Sequence, residues 1–454
     1  MNKTENKLIL SIAVPAVLQT VIRSSFSFVD AFFVGQLGSV QLAGLSVATF
    51  LVWGLLSLAE IIPVGTNSLI AQSVGAKNLT LSKKLATSNL VNAFFNAAIL
   101  GFILLPVLPY LYDLIALDSR QRIFASEYLV TIMIGLPCLI LQTTVSAIFR
   151  GYGDTKTPFY LLLLSVLLNL ILTPALTFGV DGFFRYEMRG AAIATLISYF
   201  ISFVVGFVLL IHRNLRSKLK TYKFEGEILK ETFRIGLPLA LNGLAFSMIY
   251  VFVSRFVSDY GTTGLAALGI GHRSESIAYQ ICVGFSLAAT ILVGQKVGAG
   301  KTDDAERIAW KILWLSLVIV FIYSVPLFIF SAEIASIFSD DHSVINAAST
   351  YNKVAAAVLI FSAAEVILSG AFSGAGDTVP PAVVGLPFNI LRIPFSAIFT
   401  PIFGLEGVWI AISLTVFLKG VIMVVWFKRG KWKNKRSKLL EREKKNLLEL
   451  TEIE

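Results

Sequence analysis

Twelve long apolar stretches run through the chain, and they leave few folds open to it. A helix needs about 20 such residues to cross a bilayer, and backbone groups in lipid must be satisfied within their own segment. Charged residues make up only 15% of the chain, against about a quarter in soluble proteins. The sequence therefore predicts an all-α membrane protein with twelve transmembrane helices. The approximate spans are 8–35, 42–74, 85–110, 125–150, 157–179, 188–212, 231–258, 265–297, 305–330, 346–373, 379–402 and 406–428.

The positive charge of the chain has a membrane explanation. A net charge of +10 could indicate a nucleic-acid partner. With twelve spans, however, the basic clusters all fall in loops of one side or in the C-terminus, which is the positive-inside pattern. We therefore expect a multi-pass protein of the cell membrane that contacts lipid and no nucleic acid, with both termini cytoplasmic. The clusters are Lys77–Lys84, Arg150–Lys156, Arg213–Lys223 and Lys428–Lys438.

One phrase occurs twice, as "RGYGDTKTP" at 150–158 and "SGAGDTVPP" at 373–381. Asp154 and Asp377 are 223 residues apart, and the same offset pairs Pro15 with Pro238. A single offset held over most of each half indicates an internal repeat. Six spans return the chain to its starting side, so the two copies are parallel repeats, an arrangement typical of secondary transporters.

The repeat also predicts the domain organisation. We expect an N-lobe at 1–211, a basic cytoplasmic linker at 212–230, a C-lobe at 231–428 and a cytoplasmic tail of mixed charge at 429–454. The glycines of the repeated phrase suit a left-handed helix end, and the Asp-Thr pair suits the start of the next helix.

Several motifs together resemble the multidrug and toxic compound extrusion (MATE) family, most closely its archaeal and bacterial DinF-type branch. They are "FVDAFFVGQLG" (28–38), "AQSVGAKN" (71–78), "RGYGDTKTP" (150–158), "LNLILTP" (168–174) and "RGAAIAT" (189–195). The resemblance implies an antiporter that exports amphipathic, often cationic, organic compounds in exchange for protons or sodium ions. It implies two six-helix lobes around a central V-shaped cavity. We expect a monomer with small organic substrates, no cofactor and no enzymatic activity.

The resemblance points to a cation-coupling site in the N-lobe. Asp30 stands where the family has its coupling acid, although a purely structural carboxylate is the alternative. The family form Asn-x-x-x-Asp-Pro is changed here, because Asn169 is kept and Thr173 replaces the acid. A spacing of four puts both on one helix face. Threonine can bind sodium but carries no proton, and Glu60 either supplies the missing carboxylate or bonds another helix. No metal is expected beyond possible sodium at Asp30.

Three more ionisable residues lie inside apolar spans, where charge is costly and usually functional. Arg23 lies deep in the first span. Two interpretations stay open: a fixed ion pair, for which Glu60 is one possible partner, and a role in substrate binding or coupling. Glu365 is taken as the sole C-lobe acid candidate. Arg392 is a C-lobe candidate too, and a Glu365–Arg392 ion pair is the slightly favoured alternative to a coupling role for Glu365.

The remaining candidates are uncharged. Tyr128, Thr143 and Ser146 match places that line the N-lobe cavity in the family, although helix packing explains each of them as well. Pro15 is a candidate bend in the first helix. Two other functions remain open: a flippase for a lipid-linked anionic headgroup or oligosaccharide, which Arg23 and Arg392 would suit, and an ion channel.

Overall fold

The twelve-span, all-helical prediction is confirmed. The computed structural model describes residues 3–114, 119–179, 184–212 and 225–442, and the elements within them are helical. Eleven helical segments in these ranges are long and apolar enough to cross a membrane, and α6 with α7 adds a twelfth as one bent span. The helices are α1 (Lys3–Gly35), α2 (Ser39–Ala59), α3 (Ile61–Gly75), α4 (Leu79–Leu104), α5 (Leu108–Leu114), α6 (Ser119–Ile134), α7 (Leu136–Gly151), α8 (Lys156–Phe178), α9 (Glu187–Leu210), α10 (Gly226–Ser258), α11 (Gly261–Gly298), α12 (Thr302–Ile329), α13 (Ser331–Ser336), α14 (His342–Ala375), α15 (Val379–Phe403) and α16 (Leu405–Lys428).

The fourth predicted span, 125–150, is not one straight helix. It bends by 53° between α6 and α7, at Gly135. Pro137 follows at the start of α7, and proline has no N–H and crowds the carbonyl one turn earlier. The second span is interrupted for a single residue at Glu60, three residues before Pro63, although Gly54–Gly75 still forms one span. Both breaks therefore follow from prolines inside the apolar runs.

The repeated phrase forms the expected turns. Gly153 has φ 90° and Gly376 has φ 81°, the left-handed region that favours glycine. At the start of α8, the Asp154 carboxylate accepts hydrogen bonds from the Thr157 backbone N–H at 2.9 Å and from its hydroxyl at 2.6 Å. The aspartate therefore holds the first turn of the helix, while the glycine allows the chain to reverse.

The helices group into two compact units. The N-terminal unit comprises Leu18–Ala240 with Ser437–Glu454, and the C-terminal unit comprises Met1–Val17 with Leu241–Arg436. Thus α1 and α10 each contribute residues to both units. The expected lobes at 1–211 and 231–428 instead assign each of these helices to a single lobe. Of the expected linker and tail, residues 213–224 and 443–454 lie outside the described residues.

The shared helices fill the core of the unit they enter. Ile9, Ile12 and Ala13 of α1 belong to the main hydrophobic core of the C-terminal unit. Ile228 and Ile235 of α10 belong to a core cluster of the N-terminal unit. Apolar burial of this kind is the dominant stabilising term within a unit.

The packing of α1 in the C-terminal unit depends on a glycine. A Cβ added at Gly284 of α11 would lie 2.6 Å from the backbone nitrogen of Val17. We expect Gly284→Ala to destabilise the protein by about 1–3 kcal/mol, because backbone atoms must move. Gly269, in the same helix, faces open space and is the matched control; Gly269→Ala should be neutral or stabilising by up to about 1 kcal/mol. Thermal unfolding of the purified variants in detergent measures both, and equal midpoints would contradict this packing.

The start of the expected tail is ordered against the C-terminal unit. Trp432 is buried and stacks on Phe427 with ring centroids 4.7 Å apart. Lys433 bonds the carboxylates of Asp303 at 2.8 Å and Glu306 at 2.6 Å, which raises the pKa of the Lys433 ammonium. The beginning of the tail is therefore anchored by ring packing and by ion pairs.

Candidate cation-coupling site

Asp30 lies in the last third of α1 and is almost completely buried, with 3% of its surface exposed. The Tyr128 hydroxyl on α6 donates to Asp30 Oδ2 at 2.7 Å, and the Thr195 hydroxyl on α9 lies 3.5 Å from the same oxygen. A buried carboxylate needs hydrogen bonds or a cation to offset its lost hydration. The two neutral hydroxyls of Tyr128 and Thr195 offset only part of the hydration that the carboxylate has lost.

The predicted Asn169 joins this site through Thr195. Its Nδ2 donates to the Thr195 hydroxyl at 3.0 Å, so an unbroken chain of hydrogen bonds connects α8, α9, α1 and α6. Thr173 lies one turn further along α8, on the same face, and is fully buried. The structure therefore brings together Asp30, Tyr128 and Asn169.

Several oxygens around this site have no hydrogen-bond partner within the part of the chain that the structure describes. They are Asp30 Oδ1, Asn169 Oδ1 and Thr173 Oγ1. Buried polar atoms are usually partnered, so each such oxygen calls for an explanation. Hard cations take carboxylate, amide and hydroxyl oxygens as ligands. The same described ranges contain no cluster of three His, Cys, Asp or Glu suited to a metal ion.

The comparison with known families follows the two repeats. The model of the MatE family matches residues 15–175 and again residues 238–398, two stretches related by the repeat offset. The chain belongs to the MatE family. The duplication inferred from the repeated phrase is thus matched by two successive copies of one family model.

Relatives cover nearly the whole chain. A probable multidrug resistance protein, NorM of Thermotoga maritima, is 27% identical over 96% of this chain and 95% of its own length. An FAD transporter of Shewanella oneidensis is 25% identical over 91% of this chain and 92% of its own. A transporter structure from Pyrococcus furiosus, described as having a binding pocket of reverse polarity, superposes with a TM-score of 0.87 at 21% identity, covering 95% of this chain and 97% of that one. The last likeness shows the fold.

Glu60 forms an ion pair with Arg23. It stands at the junction of α2 and α3, and its Oε1 lies 3.3 Å from Arg23 Nη1. This ion pair is the arrangement that the sequence left open for Arg23. Since its carboxylate faces a guanidinium, Glu60 compensates Arg23. A coupling role for either residue stays a prediction.

The other N-lobe candidates make only local contacts in the structure. Thr143 is buried and donates to the Ile140 carbonyl at 3.1 Å, and Ser146 is buried and accepts from Gln142 Nε2 at 3.3 Å. Both bonds lie within α7, as expected of helix-packing residues. Pro15 lies inside α1, which continues through it. Cavity lining by the two hydroxyl residues and bending at Pro15 therefore remain predictions.

In the C-terminal unit, the favoured Glu365–Arg392 pair is wrong. Glu365 on α14 instead pairs with Lys419 on α16, with 2.9 Å between Oε1 and Nζ. Lys419 is buried and also donates to Asn389 Oδ1 at 3.3 Å. The lysine reaches Glu365 from the twelfth span, where one basic residue stands amid apolar ones. That position was the signal which sequence reasoning missed.

Sequence reasoning overlooked two further polar residues. Glu275 of α11 accepts a hydrogen bond from the Tyr351 hydroxyl at 2.9 Å, so Glu365 is not the sole acid in the membrane helices of the C-terminal unit. Its carboxylate lies within the eighth apolar span and was visible as an ionisable residue there. Thr195 gave no such signal, since threonine is ordinary in a membrane helix.

Proposed function

We propose that this MatE-family chain is a secondary antiporter of the cell membrane, with both termini in the cytoplasm. It exports amphipathic organic compounds, cationic ones included, in exchange for protons or sodium ions, and it works as a monomer without a cofactor. Its two lobes, at 1–211 and 231–428 as expected from the repeat, present the cargo to each side of the membrane in turn. Multidrug resistance proteins among its relatives support an efflux role. The comparisons favour neither a flippase nor a channel.

The buried carboxylate of Asp30 carries this proposal. It accepts from Tyr128 and Thr195 through Oδ2, while Oδ1 has no partner in the described ranges. A coupling ion must have different affinities in the two facing states, because otherwise it cannot drive the exchange. A carboxylate bonded from two other helices, α6 and α9, meets this need, since a shift of either one alters its surroundings.

Of the two ions, the unpartnered oxygens favour sodium. A single proton on Asp30 can fill at most one of the acceptors Asn169 Oδ1 and Thr173 Oγ1, whereas a sodium ion can take both as ligands. Thr173 also replaces the acid that would carry a second proton. A proton remains the alternative for Asp30 itself.

The test is transport by purified protein in liposomes under separately imposed gradients. Fluorescent dye efflux is followed under an inward sodium gradient at equal pH, and under an inward proton gradient without sodium. We expect the sodium gradient to drive export, and proton-driven export alone would overturn the choice of ion. Export with no response to either gradient would contradict antiport.

A conservative change at Thr173 tests the oxygen set. Thr173→Val keeps the shape of the side chain and removes Oγ1, so we expect the sodium concentration for half-maximal export to rise about tenfold. Ser165→Ala is the matched control, because Ser165 lies on the same face of α8 and its hydroxyl already donates to the Leu161 carbonyl at 3.1 Å. An equal sodium response in both variants would remove Thr173 from the site.

A further inference from the structure

Arg392 of α15 is a buried cation without an acidic partner. Only 2% of its surface is exposed, and it belongs to none of the ion pairs formed by the described residues. Glu365 is occupied by Lys419 at 2.9 Å, and Glu275 is bonded by Tyr351. Leaving a buried charge uncompensated is costly, so such a residue in a membrane helix indicates a function.

The guanidinium is nevertheless held in a defined position. Arg392 Nε donates to the Thr415 hydroxyl at 3.0 Å, and Cζ lies 5.4 Å from the ring centroids of both Phe246 and Tyr250. Its Nη1 is buried and has no hydrogen-bond partner within the described ranges. The group is therefore oriented by neutral contacts, with a donor left for a ligand. Arginine suits this role because its planar fork binds carboxylates and stacks on rings.

More unfilled nitrogens lie along the adjoining aromatic rings. Tyr250 contacts His272 with centroids 4.4 Å apart, and Tyr351 contacts Trp409 at 4.9 Å. Among the described residues, His272 Nε2 and Trp409 Nε1 are also buried and without partners. The indole nitrogen can only donate. Of the unfilled nitrogens in this cluster, Arg392 Nη1 and Trp409 Nε1 can only donate, which suits a ligand that carries acceptors.

The internal repeat shows how the two units came to differ. At the offset of 223, Tyr128 corresponds to Tyr351, but Asp30 corresponds to Val253, which is fully buried. The C-terminal unit thus keeps the tyrosine and lacks the coupling acid. A buried arginine is added instead, so the polarity of the site is changed within the same fold.

We propose that Arg392, Phe246 and Tyr250 form a subsite that binds the carboxylate of an aromatic cargo. The carboxylate would accept from Nη1, and the aromatic body would pack on Phe246 and Tyr250, which are only partly buried. The inference rests on the proposed transport function and deepens it: cargo that carries an acid group on an aromatic body is preferred over its neutralised counterpart.

Binding of two dyes that differ in one group tests the subsite. Rhodamine B carries a free carboxylate, and rhodamine B ethyl ester has the same rings with that group blocked. Fluorescence anisotropy gives the Kd of each dye for the purified full-length protein in detergent. We expect Arg392→Gln to weaken rhodamine B binding by about tenfold or more, as for a lost charged hydrogen bond. The ester should change by less than about twofold.

Controls separate this role from a structural one. Arg273→Gln removes an exposed arginine of the same unit, and neither dye should respond to it. Equal weakening of both dyes in Arg392→Gln, or no change for either, would overturn the subsite. If inorganic phosphate displaces the ester from the wild type but not from Arg392→Gln, the site binds a free anion. That result would also overturn the proposed subsite. Dye binding is measured without an ion gradient. The binding result therefore tests the subsite even if the protein proves not to be an antiporter.

Discussion

Asp30→Asn should reduce gradient-driven efflux to the rate seen without any gradient. The amide has nearly the same shape as the carboxylate and can still contact Tyr128 and Thr195, but it has neither the negative charge that the proposed sodium site requires nor a titratable proton. A site that no longer distinguishes its ion in the two facing states cannot drive exchange. Dye efflux from proteoliposomes under sodium and proton gradients measures the loss.

The control for this change is another aspartate. Asp113 pairs with Arg122 at 2.7 Å, and 65% of its side chain is exposed. Asp113→Asn should therefore transport as the wild type does, because exposed ion pairs contribute little. Gradient-driven efflux that survives in Asp30→Asn would remove Asp30 from the coupling site. Dye binding by Asp30→Asn in the absence of a gradient checks that the variant is folded.

Glu365→Gln should give the largest loss of stability among the single changes considered. It leaves the Lys419 ammonium buried without a counter-charge, with only neutral oxygens, the new amide and Asn389 Oδ1, as acceptors in the described ranges. Removing one partner of a buried ion pair costs about 3–5 kcal/mol. A clear drop in the thermal unfolding midpoint of the purified protein in detergent is expected.

The double variant Glu365→Gln with Lys419→Met tests the cause of that loss. Methionine fills similar volume without charge, so most of the lost stability should return, and the two changes should be strongly non-additive. If the double variant is less stable than Glu365→Gln alone, the energetic argument for the pair fails.

The fold could be predicted from the sequence because apolar runs and a constant offset are both visible along one chain. The breaks at Glu60 and Gly135 were also present in the sequence, as Pro63 and Pro137, but their effect depends on how each helix re-forms its turns. Boundaries between units could not be predicted in this way. They depend on which hydrophobic core the first turns of α1 and α10 enter. The hydropathy of those turns is the same whichever core they enter, so it does not predict the choice.

The site was predictable where a charge stands in an apolar run. Asp30, Glu60, Arg23, Glu365 and Arg392 all gave that signal, and so did the overlooked Lys419 and Glu275. Which of them pair was not predictable, because pairing depends on helix rotation and on contacts between distant spans. Glu365 therefore received the wrong partner, and the hydroxyl of Thr195 was not anticipated beside Asp30.

The two places where a helix leaves one unit for the other, after Val17 and after Ala240, correspond under the repeat offset. Each half of the chain thus lends its first helical turns to the hydrophobic interior of the other. A half-length protein that packed its first turns in the same way would lack part of its own hydrophobic core. It could complete that core only by exchanging those turns with a second copy of itself. Neither half of the present protein should therefore fold well when produced alone.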